Sequence, residues 1–169
     1  SEKKTHLGRV ENGTIRRLEY RKSAPYGITP RNAGQYFMQE ALMQPARKAP
    51  LVIIKGMAGT SKTFYSLAVG LEKMLNNPTG EEQRYRNENE LHNKIDEIFE
   101  RGILQAEALN FIRGRSIMKT YLIIDEAQNM TPAQVKAIIT RAGKDTKIIL
   151  LGDPNQIDRS FLDERTNGL

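Results

Sequence analysis

The sequence predicts a three-layer α/β fold with a mostly parallel sheet, preceded by a small β-hairpin arm. Three short apolar runs carry this prediction: residues 51–54, 121–124 and 147–151 are typical of buried strands, and the first run is apolar enough for burial on both faces. Helical patterns separate the runs, and strands that alternate with helices usually pair in parallel. Ligands bind such sheets beyond the carboxyl ends of the strands, so the residues that follow each run are the candidates for function.

The composition fits one compact domain and excludes several classes of protein. The chain has 169 residues, of which 38% are hydrophobic, which is enough for a single core. The lack of cysteine excludes disulfides, thiolate zinc sites and a cysteine nucleophile, and the presence of only two histidines, His6 and His92, argues against histidine-based metal or triad chemistry. No apolar run approaches the roughly 20 residues of a membrane-spanning helix. The polar N-terminus has no signal-peptide pattern, so we expect a cytoplasmic protein with no membrane partner.

Positive charge is concentrated at the N-terminal end of the chain. The net charge is +6, and residues 1–31 hold eight Lys or Arg residues against three Glu. A basic segment of this kind suits a phosphate-rich partner. A solvated terminus that serves only solubility would have the same composition, and the sequence leaves both interpretations open.

The N-terminal arm has a clear hairpin signal. Asn12-Gly13 is a preferred pair for a tight turn, and apolar residues flank it, so residues 7–20 are predicted to form a β-hairpin. Two prolines and a glycine make residues 23–30 a predicted linker. The chain is thereby divided into a basic arm, residues 1–26, and a main domain, residues 27–169.

Capping signals and apolar spacing predict the helices. Asn32, with Gln35 three residues later, predicts a capping box at the start of a helix that runs to about Leu42. Further helices are predicted through Met74 and from Leu91 to Gly102. A last helix starts at residues 131–134, where an N-cap, an N1 proline and a capping-box glutamine occur together. The residues of this last helix that are predicted to face the core are Val135, Ile138 and Ile139.

An eight-residue loop after the first predicted strand matches a phosphate-binding pattern. Residues 56–63, Gly-Met-Ala-Gly-Thr-Ser-Lys-Thr, fit G-x4-G-K-[ST] except that Ser61 stands where the pattern has glycine. Backbone N–H groups of such a loop hold phosphate oxygens, Lys62 would reach the β- and γ-phosphates, and Thr63 would offer its hydroxyl to Mg²⁺. Serine costs about 1 kcal/mol or more if its position needs a positive φ. A merely tight strand-to-helix turn is the alternative interpretation. The residues predicted to hold phosphate are Gly56, Met57, Ala58, Gly59, Thr60, Ser61, Lys62 and Thr63.

Acidic and amide side chains follow the other two predicted strands. Asp125 and Glu126 come directly after residues 121–124, which is the Walker B arrangement: Asp125 would hold Mg²⁺ through water, and Glu126 would orient or deprotonate the attacking water. A surface acidic pair is the alternative, although four preceding apolar residues argue against exposure. Residues 152–156, Gly-Asp-Pro-Asn-Gln, would form a turn on their own. As the third motif in register, they favour contact of Gln156 with the γ-phosphate.

The three motifs, in this order, resemble the superfamily 1 helicase core and, more closely, the PhoH-like ATPases, the phosphate-starvation-inducible family. Residues 30–35, 113–116 and 167–169 are similar to the same family. The resemblance covers roughly residues 27–169. It implies ATP binding and hydrolysis, RNA unwinding or remodelling, and assembly of copies into a ring.

The resemblance adds four candidate residues. Gln35 is similar to a glutamine that recognises the adenine edge, which an amide can do because it both donates and accepts; its alternative role is the capping box. Arg113 and Arg115 are candidates for contact with nucleic acid or with a neighbour's phosphate, or else belong to a solvated basic loop. Arg141 is a candidate finger toward an adjacent subunit's nucleotide, although a surface arginine at a helix end is the preferred interpretation.

Two departures from the family pattern bear on hydrolysis. Residues 78–90 are polar and lead into another helix, where the family has a further strand and a long loop, so a segment near residues 80–85 is predicted to be missing. The sequence also stops at Leu169, where the family continues. Phosphate binding is local to one loop, but hydrolysis needs a closed site built from several elements.

The leading prediction is an ATPase, coupled to single-stranded RNA, that uses ATP and Mg²⁺. Its catalytic residues would be Lys62, Glu126, Gln156 and Arg141, and its metal ligands would be Thr63 and Asp125. The main alternative is a module that binds nucleotide or RNA with little or no hydrolysis. A small-molecule kinase is a third alternative, which the Gly-Asp-Pro-Asn-Gln loop and the lack of an evident acceptor lid disfavour.

Overall fold

The helices and strands occur in the order expected of an α/β fold. The computed structural model describes residues 6–74, 96–102, 116–157 and 167–169, together with residues 93 and 106. The elements are β1 (Gly8–Glu11), β2 (Thr14–Arg17), α1 (Ala33–Met43), β3 (Leu51–Lys55), α2 (Lys62–Met74), β4 (Tyr121–Ile124), α3 (Pro132–Ile139) and β5 (Lys147–Gly152). Within these ranges, no helix has the length and apolar character needed to cross a bilayer.

The three apolar runs form the predicted parallel sheet, in the order β3-β5-β4. β5 is the central strand and pairs in parallel with β3 on one side and β4 on the other. All six of its residues are buried, as its sequence predicted. Because all three strands run in the same direction, the loops that follow them emerge at one edge of the sheet.

The prediction that the first apolar run is buried on both faces is wrong. Residues of β3 alternate between its faces: Val52 is only 8% exposed, whereas Leu51 and Ile53 are 37% and 46% exposed. α1 and α2 cover the face that carries Val52, while α3 packs over β4 and β5 on the opposite face. β3 flanks the central strand, so its second face is incompletely covered.

Helices cover both faces of the sheet and give the predicted three layers. On one face, α1 and α2 pack on β3 and β5 around Met38, Leu42, Val52, Tyr65, Val69, Ile149 and Leu151. On the other face, α3 and the turn before it pack around Ile124, Ala127, Met130, Val135, Ile138, Ile148 and Leu150. Ile139 was predicted to face this core, but it is 37% exposed because each step along a helix turns the side chain by about 100°.

The predicted hairpin turn and N-caps are confirmed, but of the two predicted capping boxes only the one at Thr131 is complete. Asn12 and Gly13 both have positive φ, 50° and 73°, which is the geometry of a two-residue hairpin turn. Asn32 caps α1 by accepting a hydrogen bond from the Gln35 N–H. At the start of α3, Thr131 and its partner glutamine form the complete capping box. Residues 96–100 are helical and are followed by Gly102 at a φ of 69°, in agreement with the predicted end of that helix.

Buried polar side chains of α1 hold the β-hairpin arm in place. The Glu40 carboxylate accepts hydrogen bonds from the backbone N–H groups of Glu19 (3.1 Å) and Tyr20 (3.0 Å), and it pairs with Arg9 at 3.3 Å. The Gln39 amide donates to the carbonyl oxygens of Tyr20 and Ser23. Because Gln39 and Glu40 are buried, these bonds are shielded from water and position the arm firmly.

The predicted linker is also packed against the domain. Pro25 and Tyr26 are buried, and the Tyr26 N–H donates to the Glu72 carboxylate of α2 at 3.0 Å. Tyr26 shares a small core with Ala68 and Leu71 of α2. Within the predicted linker at residues 23–30, Pro25 and Tyr26 are therefore held against the domain and do not form an exposed tether.

Two lysines bind the carboxyl-terminal end of α1. Lys147, at the start of β5, is 3% exposed and donates to the carbonyl oxygens of Ala41, Gln44 and Ala49 at 2.9–3.0 Å. Lys73 donates to the last carbonyl oxygens of the same helix. Burial, and secondarily the charge of Lys73, lowers the pKa of Lys147 to about 8.

We expect the free energy of unfolding to rise by about 2 kcal/mol between pH 8 and pH 9.5. In the unfolded chain Lys147 has its ordinary pKa of 10.5, so over this interval the unfolded state binds a proton that the folded state releases. Stability increases with pH wherever the unfolded state binds more protons. Burial lowers the pKa of Lys73 as well, which acts in the same direction.

Urea unfolding at the two pH values measures this rise. Lys147→Met should flatten it, whereas Lys48→Met, which removes an exposed lysine, should preserve it. An equal rise in the wild-type chain and in Lys147→Met would contradict the assignment.

Candidate functional site

The loops after β3, β4 and β5 meet at one cavity of about 290 Å³, which we call the three-loop cavity. It lies at the carboxyl edge of the parallel sheet, where α/β folds bind their ligands. Its lining residues are Ala58, Gly59, Thr60, Ser61, Lys62, Thr63, Phe64, Asp125, Glu126, Gly152, Asp153 and Gln156. All three motifs singled out in the sequence therefore contribute to a single site.

The first loop leads into α2 with two residues in the left-handed region. Gly59 has a φ of 75° and Ser61 a φ of 61°. A residue with a Cβ in this region costs roughly 1–2 kcal/mol, whereas glycine adopts it freely. The one departure from the phosphate-binding pattern therefore falls at a position where the backbone favours glycine.

Lys62 lies at the first turn of α2 and folds over its own loop. Its Nζ donates to the carbonyl oxygens of Gly56 and Met57 and lies 3.5 Å from the Thr60 hydroxyl. Gly56 and Met57 were predicted to hold phosphate, but they contact this lysine and are not part of the cavity lining. The lysine ammonium lies at the cavity, where it can compensate negative charge.

The two predicted metal ligands are in direct contact. The Thr63 hydroxyl, at the start of α2, donates to the Asp125 carboxylate in the second loop at 2.5 Å. Mg²⁺ prefers oxygen ligands and is usually held by one or two side chains together with water and substrate phosphates. In the described part of the chain no group of three or more His, Cys, Asp or Glu residues could form an all-protein metal site. A hydroxyl and a carboxylate beside a loop that matches the phosphate-binding pattern fit this mode of Mg²⁺ binding.

Glu126 reaches the cavity through a strained turn. Its φ and ψ of 54° and 35° are left-handed, a conformation that costs roughly 1–3 kcal/mol for a residue other than glycine. Its backbone N–H donates to the Asp125 carboxylate at 2.9 Å. The turn therefore places the carboxylates of Asp125 and Glu126 at different points of the same cavity.

Gln128 connects the second and third loops, and it was not among the predicted site residues. It is fully buried; its amide nitrogen donates to the Glu126 carboxylate and to the Gln156 carbonyl oxygen, and its amide oxygen accepts from the Asp153 N–H. In the sequence it appears only as the last residue of Asp-Glu-Ala-Gln. The residues around Gln128 did not predict its burial, because two of its hydrogen bonds join it to Asp153 and Gln156, in a loop that is distant in sequence.

Asp153 is a second site residue that was not predicted. It is 6% exposed, and its carboxylate accepts hydrogen bonds from the Ala58 N–H at 3.1 Å and the Asn155 N–H at 3.0 Å. The Gly56 N–H donates to the Gly152 carbonyl oxygen at 3.1 Å, which adds a second link. The third loop thus fixes the position of the first loop.

Other predicted residues lie away from the cavity or outside the described residues. The Gln35 side chain accepts a hydrogen bond from the Arg31 N–H at 2.8 Å and not from the Asn32 N–H, so the predicted capping box is incomplete, and Gln35 does not line the cavity. Arg141 follows α3 near the start of β4, at the opposite edge of the sheet, where its carbonyl oxygen accepts from the Ile117 N–H. Arg113 and Arg115 lie outside the described residues.

Comparison with known proteins identifies one family. Residues 88–169 match the family model described as PhoH-like protein. Protein PhoH2 of Bacillus subtilis (strain 168) is 36% identical over 196 residues, a match that covers 94% of this chain and 44% of the relative. The PhoH-like protein of a Synechocystis species is 29% identical over 154 residues, covering 72% of this chain and 47% of the relative.

Protein PhoH2 of Thermobispora bispora is 28% identical over 185 residues, covering 90% of this chain and 42% of the relative. The chain spans about half the length of the curated relatives it matches. Matched stretches of 196 and 185 residues exceed the 169 residues of the whole chain. These two relatives therefore contain residues, within the matched region, that this chain lacks.

Proposed function

The chain belongs to the PhoH-like protein family, and on this premise we propose that it binds ATP with Mg²⁺ and hydrolyses it. One observation carries the proposal: Lys62, at the start of α2, lines the same cavity as Asp125, Glu126 and Gln156 from the second and third loops. A phosphate-binding loop beside two carboxylates is the arrangement that phosphoryl transfer to water requires. The cavity therefore contains a residue for each step of the proposed reaction.

In the proposed reaction, an oxygen–phosphorus bond forms between water and the γ-phosphorus while the bond to the ADP oxygen breaks. Glu126 orients the water and accepts its proton, and Lys62 balances charge on the β- and γ-phosphates. Thr63 and Asp125 would hold Mg²⁺, which supplies further charge compensation when bound. Gln156 contacts the γ-phosphate, so its loop distinguishes ATP from ADP.

Single-stranded RNA is the proposed partner of this activity in the cytoplasm. The exposed basic residues of the arm and the segment after it support the proposal, since clustered Arg and Lys bind phosphate backbones through charge. These residues include Arg16, Arg17, Arg21, Lys22 and Arg31. A ring of copies belongs to the same proposal, because Arg141, remote from its own cavity, would act only on a neighbour's nucleotide.

The domain division at residues 26 and 27 and the missing segment near residues 80–85 also remain proposals. The greater length of the matched stretches in two relatives supports a segment missing somewhere within the match. A site that lacks such a segment would close less completely around its nucleotide.

Measurement of ATP turnover with and without single-stranded RNA tests the proposed function. We expect measurable turnover that requires Mg²⁺ and that rises when RNA is added. Turnover that RNA leaves unchanged would reject the coupling to RNA but keep the ATPase. Tight ATP binding with no turnover under either condition would reject the ATPase.

A nucleotide-binding module with little turnover is the second candidate, and the φ of 61° at Ser61 specifically favours it. Ser61→Gly separates the two functions. For an efficient ATPase we expect turnover of this variant to stay within about threefold of wild type, since a cost of roughly 1–2 kcal/mol is already met by the fold. A rise of tenfold or more would identify a site that the serine impairs.

Ser61→Ala is the matched control for this comparison. Alanine keeps a Cβ in the left-handed region but removes the hydroxyl. It should therefore resemble wild type if strain is the cause of any gain, and it should resemble Ser61→Gly if the hydroxyl is the cause.

A further inference from the structure

We propose that Gln128 is a positioning residue that fixes the orientation of the Glu126 carboxylate according to the position of the third loop. The inference rests on the proposed ATPase function and assigns to that site a residue outside the phosphate-binding and acidic groups. Gln128 does not line the three-loop cavity. It acts on the reaction only through residues that do.

The bonds of Gln128 extend to both ends of the third loop. Its amide oxygen accepts from the Asp153 N–H at 3.2 Å, where the loop begins, and its amide nitrogen donates to the Gln156 carbonyl oxygen at 3.0 Å, where the loop ends. The same nitrogen donates to the Glu126 carboxylate. Both N–H donors of the Gln128 amide are therefore used, one toward Glu126 and the other toward Gln156.

Burial makes this connection specific. Gln128 is 0% exposed, so no solvent water can replace a partner that moves away, and an unpaired buried amide is costly. A displacement of the third loop must either rotate the amide or break one of its bonds. Rotation redirects the amide N–H that holds the Glu126 carboxylate, and a broken bond removes a contact that keeps this N–H in place.

The end of β5 is shaped to admit this amide. A Cβ at Gly152 would lie 2.5 Å from the side-chain amide oxygen of Gln128 and 3.2 Å from the backbone nitrogen of the same residue. Any side chain at Gly152 would therefore displace Gln128. The close approach brings the amide to the Asp153 N–H and so to the beginning of the third loop.

These contacts give a physical route from the nucleotide to the proposed base. When the Gln156 side chain contacts a γ-phosphate, the backbone of the same residue is fixed, and its carbonyl oxygen fixes one N–H of Gln128. The other N–H then holds Glu126 in the orientation that water attack requires. Misplacement of a reacting group by about 1 Å can cost roughly 100-fold in rate.

The test compares turnover with nucleotide affinity in Gln128→Met, which keeps the side-chain length and removes all three bonds. We expect kcat to fall about 10- to 100-fold, while the Kd for a non-hydrolysable ATP analogue stays within about threefold of wild type. In a Glu126→Gln background, Gln128→Met should cause no further loss of turnover, because residues that act as a unit are not additive. A purely structural role would give equal losses in both backgrounds.

Gln39→Met is the matched control, because Gln39 is also a buried glutamine, 1% exposed, whose amide bonds to residues outside the cavity. It should lower the midpoint of thermal unfolding and leave kcat near that of wild type. Gln128→Glu is the second variant, to be used if Gln128→Met does not fold. It keeps the shape and the acceptor for the Asp153 N–H but replaces the donors with a second carboxylate, so kcat should again fall.

The possible failures can be told apart. If wild type shows no turnover, the proposed ATPase is rejected together with this inference. If wild type turns over ATP and the Gln128 variants match it, only the inference is overturned.

Discussion

Glu126→Gln should lower ATP turnover by about 10²- to 10⁴-fold and leave ATP binding intact. Glutamine has nearly the same shape, so the strained turn and the cavity should persist. An amide cannot accept the proton of the attacking water, so the contribution of a general base is lost. Turnover and nucleotide affinity, measured on the same preparation, separate this loss from a loss of binding.

Glu100→Gln is the matched control, because Glu100 is exposed and does not line the three-loop cavity. It should hydrolyse ATP as fast as wild type. If Glu126→Gln is equally fast, Glu126 is not the base, and the assignment of the second motif is wrong.

Lys62→Met should weaken binding of ATP by about 100-fold or more. Hydrogen bonds to charged groups are worth roughly 1.5–3 kcal/mol, and a tenfold change in affinity corresponds to 1.4 kcal/mol. Lys62 would also supply the positive charge that offsets the triphosphate at the cavity. Isothermal titration with ATP and Mg²⁺ measures the change directly.

Lys55→Met tests whether this effect belongs to the site or to positive charge in general. Lys55 ends β3, is exposed and lies just before the first loop, but it is not part of the cavity lining. Its replacement should leave the affinity within about twofold of wild type. A similar loss of affinity in both variants would show that the loss comes from removing a positive charge and not from the position of Lys62 at the cavity.

The sequence predicted most local structure, because its signals act over a few neighbouring residues. Asn12-Gly13 specified the hairpin turn, and Asn32 and Thr131 specified the starts of two helices. The exposure of Ile53 could not be predicted, because an apolar run contains no information about which strand occupies the centre of a sheet. That position depends on the order of pairing between segments far apart in the chain.

The same distinction applies to the site. Motif spacing was enough to predict that Lys62, Asp125 and Gln156 approach one another, because parallel strands deliver their loops to one edge. Gln128 and Asp153 were missed because their roles depend on partners in other loops. Ser61 was recognised as a departure from the phosphate-binding pattern. Whether this serine is strained depends on its φ angle, which no residue pattern specifies.

The central position of β5 has a consequence for synthesis of the protein. Among the described strands, β3 and β4 pair with β5 and not with each other, although both precede it in the chain. A growing polypeptide therefore cannot complete this sheet until Gly152 has left the ribosome. Until then the edges of β3 and β4 that will face β5 have no partner among the described strands, and unpaired strand edges of this kind favour aggregation during folding.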